Sequence, residues 1–157
     1  MMKLMLPLDN YDEAGRVKPP SLLFAALVFL LRPMIVFIAS VTFREDQTKL
    51  LSLFYPDKYQ FYMSLSHAVP ALIILLIMSF REKIWDANNY SVISMIPVLL
   101  VFAFISDACV QVYILQSENF GFSWPHAFSF IGLLLFGLYT FKSQHLRVML
   151  ADWKKPV

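Results

Sequence analysis

Four stretches of this chain are apolar almost without a break, at about 21–43, 61–80, 91–115 and 124–141. Each is close to the 20 or so residues that an α-helix needs to cross roughly 30 Å of hydrocarbon. The pattern predicts an all-α fold, an integral membrane bundle of four transmembrane helices. It also divides the chain into a polar N-terminal segment 1–20, a membrane domain 21–141 and a tail 142–157. Pro19-Pro20 marks the start of the first helix, where a missing amide hydrogen costs nothing. Pro33, Pro70 and Pro97 fall inside helices and should either kink them for packing or serve as hinges.

The connecting segments are short. Residues 44–59 carry Leu50, Leu51, Leu53, Phe54 and Tyr55, too apolar for a free loop, and predict a short outer interfacial helix stopped by Pro56. Residues 81–90 form a polar link with a turn and cap at Asn88-Asn89, and 116–123 a tight loop. Beyond Phe141, Leu146, Met149, Leu150 and Trp153 recur at helical spacing. The last helix should therefore run on as a basic amphipathic extension lying on the membrane surface.

Charge then orients the bundle. Lys3, Arg16, Lys18, Arg81, Lys83, Lys142, Arg147, Lys154 and Lys155 fall on one side, and Arg44, Lys49 and Lys58 on the other. Nine basic residues against three, in short segments, predict cytoplasmic N- and C-termini. Tyr59, Tyr62 and Trp124 on one side, and Trp85 and Tyr90 on the other, suit the two membrane interfaces. A cleaved signal peptide is not expected, because the first apolar run follows Asp9, Asp12 and Glu13 and contains Arg32-Pro33.

Composition excludes several function classes. Charged residues make up 15% of the chain and the apolar class 59%, against about a quarter charged in soluble domains. A net charge of +2, spread around the apolar runs, does not suggest nucleic acid. Cys109 is the only cysteine, which rules out an internal disulfide, a dithiol enzyme and a cysteine-based zinc cage. No HExxH, paired histidine or His/Cys/Asp cluster has ligand spacing. Ser64, Ser66 and His67 lie close together, but no Gly-x-Ser-x-Gly turn is present. The four glycines cannot build a phosphate-cradling loop. Neither enzyme activity, metal nor cofactor is expected.

Polar groups inside the apolar runs are the remaining candidates, since an unpaired one is costly in hydrocarbon. Arg32 falls at the middle of the first run, roughly 16 Å from either end. Asp107 lies about 12 Å and His67 about 10 Å from the outer side, with Gln111 one turn above Asp107. Antiparallel threading brings Arg32, His67, Asp107 and Gln111 to similar depth. Two readings follow: an ion pair that fixes helix register, or a polar route or small binding site open to the outer face. His126 and His145 lie at other depths and should not join His67. Small residues at Ala25 and Ala39, seven either side of Arg32, would let another helix approach on that face.

The segment Tyr11-Asp12-x-x-Gly15-x-x-Lys18-Pro19-Pro20, followed by a helix with Arg32-Pro33, resembles the YfeZ-like family of small bacterial inner-membrane proteins. Leu53-Phe54-Tyr55-Pro56-Asp57, then Phe61-Tyr62 and a helix with Pro70, is similar to that family as well. The resemblance is clearest from Tyr11 to about Phe80 and implies a bacterial inner-membrane location. It carries over neither activity nor catalytic residues. The expected role is a non-enzymatic accessory or scaffold subunit in the lipid bilayer, packing against another membrane protein or a second copy. The alternative is a small transporter or channel subunit using the Arg32, Asp107 and His67 cluster.

Overall fold

The computed structural model describes residues 7–12, 15–42, 52, 55, 57–117, 119–121 and 124–154. The outer interfacial helix expected around Leu50–Phe54 lies outside the described residues, apart from Ser52. Those residues form helices α1 (Ser21–Leu30), α2 (Arg32–Thr42), α3 (Lys58–Ser79), α4 (Arg81–Asp86), α5 (Tyr90–Ser117), α6 (Trp124–Lys142) and α7 (Gln144–Trp153). The fold is an all-α membrane bundle. Three helices, α3, α5 and α6, are each long and apolar enough to cross a membrane.

The first apolar run is where the helix differs from expectation. It is two helices, α1 and α2, meeting at Leu31 with a bend of 64°. Pro33 is the cause. A continuous helix would have the amide of residue 33 donate to the carbonyl of Phe29, and proline has no such hydrogen. The freed Phe29 oxygen instead accepts from Arg32 Nη1 at 3.2 Å. Neither half is long enough alone, at roughly 15 Å each, but together they cover the hydrocarbon thickness. The bend also changes the phase of the two faces. Ala25 and Ala39 are therefore only half-buried, while Ala26 is fully buried.

Chain tracing runs the pair α1–α2 from one end of the bundle to the other, as one broken span would. Helices α3, α5 and α6 alternate in direction, so α7 emerges at the end of the bundle where α4 lies. The N-terminal segment is bonded to α7 at that same end: Val17 N donates to Asp152 Oδ2 at 3.1 Å, and Trp153 Nε1 donates to Val17 O at 2.9 Å. Helix α1 thus starts at this terminal end, while α3 starts at the opposite, loop end. The bent pair must connect the two.

Local chemistry closes each helix. Pro20 caps α1 in extended geometry. Asn88, at φ 53°, ends α4, with Asn88 N bonded to Trp85 O and Asn89 N to Ile84 O. This left-handed ending suits asparagine. A similar ending closes α5, where Phe120 N donates to Leu115 O. Gly15, at φ 74°, completes a turn on the Asp12 carbonyl. Pro70 and Pro97 lie within unbroken α3 and α5.

Helix α7 is amphipathic, but it starts afresh at Ser143, whose hydroxyl accepts from Leu146 N. Its apolar side faces protein and not lipid: Leu146, Met149, Leu150 and Trp153 are all buried. The reason is the N-terminal segment, which supplies Val17 to that face. Trp85 adds to the same clasp, its ring edge-on to Trp153 at 5.6 Å and its Nε1 donating to Trp153 O at 3.3 Å. Arg16 sits 4.5 Å over the Trp85 ring. The remaining core joins α1, α3 and α5 through Leu23, Leu27, Leu30, Ala71, Ile74, Ile96 and Leu100. Helix α6 stands at the edge and buries only Gly137.

Candidate functional site

The centre of the site is the carboxylate of Asp107, fully buried on α5. Arg32 reaches it as a fork, with Nη2 2.7 Å from Oδ1 and Nη1 3.1 Å from Oδ2. Two parallel bonds to one carboxylate fix both distance and angle. Gln111, one turn along α5, donates from Nε2 to Oδ2 at 2.9 Å. His67 on α3 brings Nε2 to 2.7 Å from Oδ1. All four side chains singled out from the sequence meet at one point, and each carboxylate oxygen has two contacts.

Arg32 owes its position to the break before Pro33. Its Nη1 also serves the Phe29 carbonyl, and its guanidinium lies 4.6 Å from the Phe29 ring centroid. The ring is held in turn by Phe136 of α6, with centroids 5.3 Å apart. Here α6 packs against α1. A Cβ on Gly132 would meet Phe29 ring carbons at 2.4 and 2.8 Å, so a larger residue there would require the ring to shift.

Beside the cluster, toward the loop end, lies a cavity of about 530 Å³. This falls within the range of small-molecule sites. Its wall combines Arg32, His67, Gln111 and Ser64 with apolar Phe29, Val36, Val110 and Ile114. The N-terminal half of α6 closes it through Trp124, Pro125, His126, Phe128, Ser129 and Gly132, and Tyr55 joins from the loop. Tyr55 is hydrogen-bonded to Ser64, and burial pushes its phenol above the ordinary value. The phenol is therefore a protonated hydrogen-bonding group.

Three polar atoms of His67 and Gln111 are buried without a hydrogen-bond partner. Among the described residues, Gln111 Oε1 and His67 Nδ1 are shut off from solvent and have no hydrogen-bond partner. His67 Nε2 touches the carboxylate but lies off the line that an N–H would take. Such groups are rare in buried positions.

These residues lie within a known family. A family model described as "Protein of unknown function (DUF2919)" matches residues 6–152. The chain belongs to that family. It is also similar to "Inner membrane protein YfeZ" of Escherichia coli (strain K12), 35% identical over 72 residues. That alignment covers 46% of this chain and 48% of the relative, so the chain spans about half the length of the curated relative it matches. No solved structure matches the chain.

Within this DUF2919 member, sequence reasoning missed the cavity and most of its wall. His126 was expected at another depth from His67, yet both line the same space. The cavity extends from mid-bundle to the first turn of α6, so depth alone did not separate them. His145 is at the terminal end, 3.0 Å from Lys18 O. Tyr55, Ser129 and Gly132 gave no signal, because nothing in hydropathy says where α6 docks. Among the described residues, no three His, Cys, Asp or Glu side chains converge as a metal site.

Proposed function

We propose that this chain is a small ligand-binding subunit of the bacterial inner membrane that takes up an amphipathic molecule from the leaflet at its loop end. The carrying observation is the cavity of about 530 Å³, whose wall holds Arg32, His67 and Gln111 and whose outer side is the lightly packed helix α6. A bundle whose polar cluster served only for register would seal around it. The nine-to-three division of basic residues supports cytoplasmic termini, which puts the cavity in the outer leaflet. The printed name of the Escherichia coli relative supports the inner membrane as the location.

Extraction of the native protein in polymer-bounded lipid discs, followed by lipid mass spectrometry, tests this reading. One amphiphile class should be enriched over the surrounding membrane and lost in Ser129→Phe, which fills the cavity without touching the ion pair. Equal lipid composition in the two proteins would sink it.

A second reading, an accessory subunit that docks on another membrane protein, has one observation in its favour. Helix α6 presents Ile131, Leu134, Leu135, Leu138 and Phe141 outward. Crosslinking from α6 in native membranes should then capture one stoichiometric partner. Labelling by lipid alone would remove the support.

A further inference from the structure

We infer, resting on the cavity reading above, that the molecule bound there is an acyl lipid whose carboxyl group, as ester or free acid, meets the unoccupied edge of Arg32. An arginine carries five N–H donors in one plane and no acceptor. Asp107 takes the end edge, through Nη1 at 3.1 Å and Nη2 at 2.7 Å, and Nη1 also donates to Phe29 O at 3.2 Å. The donors left over are the second hydrogen of Nη2 and the one on Nε, which lie parallel along the side edge. Among the described residues Nε has no hydrogen-bond partner, and it is not enclosed by protein as the unbonded atoms of His67 and Gln111 are. Arg32 lines the cavity with 23% of its side chain exposed. The Phe29 ring covers the guanidinium at 4.6 Å, so a ligand meets this group at its edge.

Those donors decide the head group. A hydrocarbon end would leave them unpaired, and an ammonium end, itself only a donor, would also face a positive charge. A carboxyl group places two oxygens on one carbon, the spacing that a pair of parallel N–H groups fits. This choice does not depend on the state of His67. Arg32 and Asp107 cancel one another, so the cluster is neutral with His67 neutral and positive with His67 protonated. His126, also on the wall, can only add the same sign. A cation is disfavoured in every case, and an oxygen acceptor in none. The rest of the wall suits the acyl chain, since Val36, Val110, Ile114 and Phe128 are apolar.

Native mass spectrometry of the protein purified in dodecyl maltoside, a detergent without a carboxyl group, tests the inference. Methyl oleate, oleic acid, oleylamine and octadecene are added separately at equal concentration. Adducts of methyl oleate, oleic acid or both should exceed those of the amine and the hydrocarbon by about tenfold or more, the effect of one charge-assisted hydrogen bond. The stronger of the two tells ester from free acid. Arg32→Lys, which keeps a positive charge against Asp107 but has no second edge, should bring the four probes within about twofold. Ser129→Phe should abolish all adducts. If oleylamine or octadecene binds as well as the carboxyl probes, or if Arg32→Lys keeps the tenfold preference, the head-group assignment fails while the cavity reading stands. If none of the four binds, both fail. Should Arg32→Lys not fold, the comparison of the four probes on the unaltered protein still decides the question.

Discussion

Asp107 concentrates the energetics of the bundle in one side chain. It takes two bonds from Arg32, one from Gln111 and a contact from His67, with the carboxylate itself fully buried. Removing one partner of such a pair leaves the other charge buried, at a cost of about 3–5 kcal/mol, whereas replacing both by apolar groups can be close to neutral. Asp107→Asn should therefore lower thermal stability in micelles more than the double change Arg32→Met with Asp107→Leu. The double variant should recover more than half of the loss. A double variant less stable than the single one would show that the pair does more than neutralise itself. The meeting of Arg32 with Asp107 was legible in the sequence for the same reason, since two unpaired charges at that depth are untenable. The unsatisfied Gln111 oxygen was not, because its state depends on which way the amide faces.

At the scale of helices, sequence and structure part where a local rule depends on a distant partner. Hydropathy runs smoothly through Leu31, so 21–43 reads as one span; only the missing amide of Pro33 and the available Arg32 side chain produce the 64° break. Likewise the period of Leu146, Met149, Leu150 and Trp153 reveals an amphipathic helix without saying what covers it. The cover is residues 16–18, held by Trp153, Asp152 and His145. Trp153 is fully buried and edge-on to Trp85. Trp153→Ala should cost about 3–5 kcal/mol, the range for a large aromatic removed from a core. Trp153→Phe, which keeps most of the packing and loses the bond to Val17 O, should cost about 1 kcal/mol more than nothing. Thermal unfolding in micelles, with limited proteolysis of the N-terminal segment, measures both. Equal losses would mean that the hydrogen bond and not the ring holds the clasp.

For the whole molecule, connectivity and charge make one joint claim. The bond from Val17 to Asp152 requires an even number of crossings, which the broken pair α1–α2 supplies with α3, α5 and α6. The cavity then lies at the end opposite both termini, and the basic residues decide which face of the membrane that is. In a Cys109→Ala background, which removes the exposed native thiol, single cysteines at Gly121 and Gln144 separate the two ends. A membrane-impermeant maleimide added to spheroplasts should label Gly121→Cys and spare Gln144→Cys, and inside-out vesicles should give the reverse. An inverted result would move the cavity to the cytoplasmic leaflet and change which pool of lipids it samples. Labelling of both from the same side would mean that α6 does not cross the membrane.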